Sequence, residues 1–175
     1  MNTPTTSSCI ARTAVTLLIA SLAASGAWAI PNLLLWDGEV PFQCANGSAN
    51  NTQAFNGSGC FEGTPDQWRQ PVIRLTGLPT WQSNIAAYDE IWFFVKADQT
   101  GKTFDFSTYG WPNTSNLVNI TPYIQGGPLD TTYRLVRMPI SALKTATYDL
   151  SKVEYFYFGT AKPTTGHKLY VDEIW

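Results

Sequence analysis

Eight short runs of β-branched and aromatic residues constrain the fold of this chain more than any other feature. Residues typical of turns, such as Gly126-Gly127-Pro128, separate the runs, and this is the sequence pattern of strands. The runs cover residues 33–37, 72–75, 90–96, 103–106, 117–120, 133–138, 153–158 and 168–174. One helical turn is predicted at residues 139–143. Eight strands in one domain indicate an all-β fold, an antiparallel β-sandwich or jelly roll.

The first 29 residues have the features of a secretory signal peptide. Arg12 precedes an apolar run at residues 14–24, and the small residues of Ala27-Trp28-Ala29 fit a cleavage site. The run is shorter than the ~20 apolar residues that span a bilayer, which argues against a membrane anchor. We therefore expect a secreted protein, extracellular or periplasmic, with residues 30–175 as its single mature domain.

The charge balance is weakly acidic. The chain has 11 Lys and Arg against 13 Asp and Glu, a formal net charge of −2. A nucleic-acid interface would show clustered Lys and Arg, so no nucleic-acid partner is expected. We also expect a monomer without a membrane partner.

Two cysteines, Cys44 and Cys60, remain after removal of the predicted signal peptide. An even pair in an exported chain predicts a disulfide, and the 15 intervening residues are rich in Asn, Gly and Ser. Closing such a loop would contribute about 3 kcal/mol in the chain-entropy model. The alternative, a metal pair or a redox couple, lacks a CxxC motif or a neighbouring His. We expect the disulfide to pin residues 46–59 as a loop.

Within the strands, side chains alternate between two faces. Aliphatic residues and Phe share one face, which suits a core. This face carries Ile91, Phe93, Val95, Val136, Met138, Phe156 and Phe158. The opposite face is richer in Trp, Tyr and Arg, and it is where a ligand would lie.

The outward residues have the chemistry of a sugar platform. Sugar rings present C–H patches that pack on flat aromatic faces, while their hydroxyls need donors and acceptors at the periphery. We predict that Trp92, Tyr155 and Tyr157 stack on a glycan and that Arg137 donates hydrogen bonds to it. The loop after residues 103–106 would add Tyr109 and Trp111. The alternative is that these aromatic residues pack under loops or stiffen a sheet.

Four segments in succession resemble a known family. They are residues 91–96, 133–143, 149–153 and 169–174, which include Asp149-Leu150-Ser151 and Val171-Asp172-Glu173-Ile174. Together they resemble the β-jelly-roll, galactose-binding-domain-like carbohydrate-binding modules, which are often appended to secreted glycoside hydrolases. The sequence departs from the family pattern at three places. Met138-Pro139-Ile140 replaces the family's aliphatic-Pro-Leu, Glu173 replaces a second Asp in the last strand, and the Cys44–Cys60 segment is an insertion.

The resemblance also implies one structural Ca²⁺ ion. Asp37 and Asp172 stand at the places of the family's metal-binding acids, and Glu39 is a candidate third ligand. Ca²⁺ takes six to eight hard oxygen ligands and accepts backbone carbonyls among them. The alternative is that Asp37 and Asp172 are ordinary solvated charges at strand ends.

Catalytic patterns are weak in this sequence. His167 is the only histidine, and no GxSxG motif occurs. Glycoside hydrolysis needs two acids about 5–10 Å apart. The candidates are Asp89, Glu90, Asp105 and Glu154, but Asp89 and Glu90 are adjacent and would point to opposite faces of a strand. We therefore expect a non-catalytic module that binds a poly- or oligosaccharide on a concave sheet, with a glycoside hydrolase as candidate partner. The alternatives are a structural or adhesive sandwich and a small jelly-roll hydrolase or lyase.

Overall fold

The computed structural model describes residues 34–36, 38, 43–65, 70–74, 84–110, 113–159 and 167–175. These residues all belong to one compact unit, Asn32–Trp175. The predicted signal peptide at residues 1–29 lies outside the described residues. Within the described part of the chain, no helix is long and apolar enough to cross a membrane.

The described residues form β-strands with very little helix. The strands are β1 Gln43–Ala45, β2 Gly47–Asn50, β3 Cys60–Gly63, β4 Val72–Arg74, β5 Glu90–Ala97, β6 Asp105–Gly110, β7 Asn113–Thr114, β8 Val118–Asn119, β9 Arg134–Pro139, β10 Tyr155–Gly159 and β11 Leu169–Ile174. A 3₁₀ turn at Thr121–Tyr123 and a single helical turn, α1 at Ile140–Leu143, complete the described elements. The predicted helical turn is confirmed.

The strands assemble into two antiparallel sheets. The first sheet has the order β1-β4-β10-β6-β7, and β8 also pairs with β6. The second sheet has the order β2-β3-β11-β5-β9. The predicted all-β fold with two antiparallel sheets is confirmed.

The inner faces of the two sheets form the core. Every second residue of β5 is buried, and Phe93 packs against Phe106 and Phe158 of the first sheet at ring-centroid distances of 5.0 and 5.7 Å. Phe156 and Phe158 are likewise fully buried, which leaves Tyr155 and Tyr157 on the outer side of β10. The predicted division of the strands into an apolar face and a Trp/Tyr/Arg face is therefore confirmed.

A segment at residues 51–59, which we call the strap, lies over the outer face of the second sheet. The Phe55 ring stacks on Phe94 with a centroid distance of 3.7 Å. The Tyr133 hydroxyl donates to the Gln53 carbonyl at 2.8 Å, and Lys96 Nζ donates to Gln53 Oε1 at 2.6 Å. The prediction of one loop over residues 46–59 is thus wrong in part, because residues 47–50 form strand β2.

The predicted Cys44–Cys60 disulfide is contradicted, because Cys60 is a free thiol and is fully buried. Phe61 belongs to the core, so its neighbour Cys60 points to the opposite side of β3, beneath the strap. The backbone of Cys44 pairs with Ile73 in the other sheet, and its side chain lies outside the described residues. Burial raises the pKa of the Cys60 thiol, an effect that a hydrogen bond with Tyr133 opposes.

We expect Cys60 to resist alkylation in the native protein because its thiol is buried and its pKa is raised. Iodoacetamide should label the peptide that contains Cys60 only after denaturation, as measured by mass spectrometry. A reducing agent should leave the melting temperature unchanged. A clear fall of the melting temperature under reduction would instead reinstate the disulfide.

Candidate functional site

Three tyrosines meet on the outer face of the first sheet, and we call them the tyrosine platform. Tyr155 and Tyr157 are two residues apart in β10, so both point outward. In the β10–β6 register, Tyr155 lies opposite Tyr109. The ring centroids of Tyr109 lie 5.6 Å from Tyr155 and 6.0 Å from Tyr157, and Tyr155 and Tyr157 are 6.4 Å apart. The sequence prediction is therefore corrected at one point, because Tyr109 belongs to a strand and not to a loop.

The three rings are tilted against one another. Their interplanar angles are 51°, 74° and 55°. Burial raises the pKa of the Tyr157 hydroxyl, and the neighbouring Tyr109 and Tyr155 reinforce the rise. The Tyr157 hydroxyl is therefore neutral at physiological pH and can both donate and accept hydrogen bonds.

A cation lies at one end of the platform. The Arg74 guanidinium carbon is 5.4 Å from the centroid of the Tyr155 ring, because Arg74 in β4 pairs with Tyr155. Such a position favours a cation–π contact with Tyr155 and keeps the guanidinium beside the rings. Sequence periodicity does not mark Arg74 as a site residue, since the three residues of β4 carry little periodic signal.

Small polar residues line the other end. Ser107 pairs with Tyr157 and is 6% exposed, and Asp105 pairs with Gly159 and is 7% exposed. Asn119 of β8 donates to Asp105 Oδ1 at 2.9 Å. Alternation within β6 places Ser107 and Asp105 on the same face as Tyr109. The platform therefore runs from an aromatic, cationic end to a polar, acidic end.

Trp92 and Arg137 do not join the platform. They pair with each other in β5 and β9 on the outer face of the second sheet. The Arg137 guanidinium lies over the Trp92 ring at 4.4 Å, and Trp92 Nε1 donates to Glu90 Oε2 at 2.5 Å. The prediction that these two residues share one surface with Tyr109, Tyr155 and Tyr157 is thus wrong, because the strands belong to different sheets. Trp111 lies outside the described residues.

Glu90 holds Trp92 and Arg137 together. Its Oε2 atom accepts from Arg137 Nη2 at 2.8 Å and Nε at 3.2 Å, in addition to the Trp92 indole. Partial burial alone would raise the pKa of Glu90, but these hydrogen bonds outweigh it and lower the pKa below its usual range. The carboxylate is therefore ionised at neutral pH.

Solved structures of carbohydrate-binding modules share this architecture. The family 11 module of the cellulosomal cellulase Lic26A-Cel5E of Clostridium thermocellum superposes with a TM-score of 0.54 and 18% identity, over 83% of this chain and 94% of that one. The family 30 module of the C. thermocellum cellulase Cel9D-Cel44B gives 0.53 and 15%, over 81% and 90%. Another family 30 module gives 0.54 and 16%, over 79% and 78%. The chain has the jelly-roll fold of these modules. No protein-family model matches the sequence, and a comparison with curated proteins finds no significant match.

Asp172 is fully buried in the last strand of the jelly roll. Its Oδ2 accepts from the backbone N–H groups of Phe55 at 2.8 Å and Asn56 at 3.2 Å, and its Oδ1 accepts from the N–H of Glu173 at 2.9 Å. Glu173 adopts a positive φ of 45° at the point where the β11–β5 register shifts. Asp172 therefore ties the strap to the bulged end of the second sheet.

The surroundings of Asp172 fit a hard cation in part. A Cβ at Gly38 would overlap with both Asp172 Oδ1 and the Gly59 carbonyl, so these two oxygens converge on one small space. Carboxylate and peptide oxygens are the ligands that Ca²⁺ prefers. Among the described residues no group of three or more His, Cys, Asp or Glu side chains could hold a metal. The other predicted ligands, Asp37 and Glu39, lie outside the described residues.

Proposed function

We propose that this protein is a secreted, non-catalytic carbohydrate-binding module that holds an oligosaccharide segment on its tyrosine platform. One observation carries the proposal: three half-buried tyrosine rings lie within 6.4 Å of one another on an outer sheet face. Polar side chains stand at both ends of this cluster.

Each part of the platform has a counterpart in a sugar. The C–H faces of a pyranose ring pack on tyrosine rings, which lose little rotamer entropy when they do so. Hydroxyl groups of the sugar would meet Arg74 at one end and Asp105, Ser107 and Asn119 at the other, where both donors and acceptors are offered.

The tilt of the rings favours a single glycan chain over a flat crystalline surface. Flat surfaces are matched by coplanar rings, whereas these rings are inclined by 51° to 74°. Along β10, from Tyr155 to Gly159, the platform spans roughly 13 Å at about 3.3 Å per residue. A short oligosaccharide segment fits this length.

The neighbouring structures guide the choice of the first ligands. Two of them are modules of cellulases, so soluble β-glucans are the first probes, and a glycoside hydrolase is the proposed partner. A concave shape of the binding sheet and a monomeric state remain part of the proposal.

We assign the acid on this face, Asp105, to binding and not to hydrolysis. The pairing of β6 with β10 places Asp105 on the platform, where its carboxylate accepts a hydrogen bond from Asn119. A glycosidase needs two carboxyl groups about 5–10 Å apart. One protonates the leaving group, and the other attacks the sugar or activates a water molecule. We infer that Asp105 accepts hydrogen bonds from sugar hydroxyls.

Affinity electrophoresis combined with a reducing-sugar assay tests the proposal. The purified protein is run through gels that contain mixed-linkage β-1,3-1,4-glucan, hydroxyethyl cellulose, xylan or mannan. We expect retardation by at least one polysaccharide without release of reducing ends. Release of reducing ends would favour the hydrolase alternative. If none of the polysaccharides retards the protein, the adhesive alternative is favoured.

Export is tested separately by N-terminal sequencing, which should find Ile30 as the first residue.

We further propose one structural Ca²⁺ ion held by Asp172 and the Gly59 carbonyl, with Asp37 and Glu39 as additional ligands. When bound, the ion supplies a cross-link between the last strand and the strap, without any role in chemistry. Such an ion stabilises the folded state by mass action. At a free Ca²⁺ concentration of 100 times the dissociation constant, the gain is about 2.7 kcal/mol.

Removal of calcium should therefore lower the melting temperature by roughly 5–10 °C. Differential scanning calorimetry of the protein with excess EGTA, and after re-addition of Ca²⁺ or Mg²⁺, measures the effect. Ca²⁺ should restore the melting temperature and Mg²⁺ should not. Identical melting curves in all three conditions would contradict the calcium proposal.

A further inference from the structure

The outer face of the second sheet carries its own row of aromatic rings, which the tyrosine platform does not use. Phe55 stacks on Phe94 at 3.7 Å, Phe94 contacts Trp175 at 5.7 Å, and Trp175 contacts Trp92 at 6.0 Å. Phe55 is 44% exposed although one of its faces lies on Phe94. We call this row, together with Glu90 and Arg137, the strap face.

A charged pair borders the row at its Trp92 end. The side chains of Arg137 and Glu90 are 43% and 34% exposed, and their closest atoms are 2.8 Å apart. The pair offers N–H donors and carboxylate acceptors beside an indole ring. Its net charge is zero, so it does not select for an ionic ligand.

We infer that the strap face is a second glycan-binding surface, which takes a neutral oligosaccharide chain. An aromatic row bordered by paired donors and acceptors matches the C–H faces and the hydroxyls of such a chain. This surface is independent of the tyrosine platform and would function without it.

The two surfaces lie on the outer faces of opposite sheets. One oligosaccharide therefore cannot contact both, and each surface would hold a different glycan segment. A protein with two such surfaces cross-links soluble polysaccharide chains and gains avidity on a dense polymer. With the strap face, the protein is expected to bridge two polysaccharide chains and not only to attach to one.

Stoichiometry and cross-linking test the inference. Isothermal titration with cellohexaose counts the bound chains, and light scattering of mixtures with mixed-linkage β-1,3-1,4-glucan reports cross-linking. The variants are Phe55→Ala and Arg137→Ala on the strap face and Tyr157→Ala on the platform, with Lys144→Ala as an exposed control elsewhere. Melting temperatures verify that each variant is folded, and Arg137→Ala keeps the test valid if Phe55→Ala loosens the strap.

We expect two cellohexaose chains per protein, and one in each of the first three variants. The scattering increase should be lost in these variants and kept in Lys144→Ala. One chain per protein, lost only in Tyr157→Ala, would overturn the inference and leave the proposed function intact. A protein that self-associates through Phe55, seen by sedimentation without glycan, would overturn it as well. No binding of cellohexaose or mixed-linkage glucan would overturn the inference, and the proposed function falls as well only if none of the four polysaccharides retards the protein.

Discussion

Replacing Tyr157 with Ala should weaken glycan binding at the tyrosine platform by roughly 10- to 100-fold while the fold stays intact. The ring contacts Tyr109 and Tyr155 but lies outside the core, so its loss removes stacking area and not core packing. Burying one large apolar side chain contributes about 1.5–3 kcal/mol, and each 1.4 kcal/mol changes affinity tenfold.

The matched control is Tyr88→Ala. Tyr88 is a half-buried tyrosine in the segment that precedes β5, and it belongs to neither the platform nor the strap face. Dissociation constants from affinity electrophoresis and melting temperatures from calorimetry are measured for both variants. Equal losses of affinity in the two variants, or none in Tyr157→Ala, would mean that the platform does not bind the glycan.

Strand faces followed directly from the sequence because burial alternates with a period of two. In β5 and β10 every predicted inward residue is buried, and the outward Trp92, Tyr155 and Tyr157 are only half-buried. The sheet to which each strand belongs depends instead on pairings between distant segments. Periodicity carries no information on these pairings, so it cannot separate Trp92 from tyrosines that belong to the other sheet.

The polar end of the platform and the strap had even weaker signals. Asp105, Ser107 and Asn119 are common surface residue types, and only the pairing of β6 with β10 and β8 brings them beside the tyrosines. The Asn/Gly/Ser-rich composition around Phe55 predicts a loop that needs a covalent tie. The stacked Phe55 ring and the hydrogen bonds to Asp172, Tyr133 and Lys96 provide the tie instead.

The second large effect is expected for Asp172→Ala, which should lower the free energy of unfolding by about 3 kcal/mol or more. The carboxylate is fully buried and accepts three backbone N–H bonds, two of them from the strap. Removing it leaves three partly buried N–H donors without this acceptor, at about 1–3 kcal/mol for each group that water does not reach. For a protein of this size the melting temperature should fall by roughly 6–12 °C.

Asp89→Ala is the control, because Asp89 is an exposed acid next to a strand of the same sheet, and its replacement should change stability by less than about 0.5 kcal/mol. Hydrogen exchange of the Phe55 and Asn56 amides adds a local readout, since both should exchange faster in Asp172→Ala.

The melting temperatures are measured again in EGTA to separate the two roles of the Asp172 carboxylate, as a metal ligand and as a hydrogen-bond acceptor. If Asp172 acts only as a metal ligand, the variant and the wild type will melt together once calcium is removed. If the hydrogen bonds anchor the strap, most of the difference will persist, because no cation is needed for a carboxylate to accept three N–H groups.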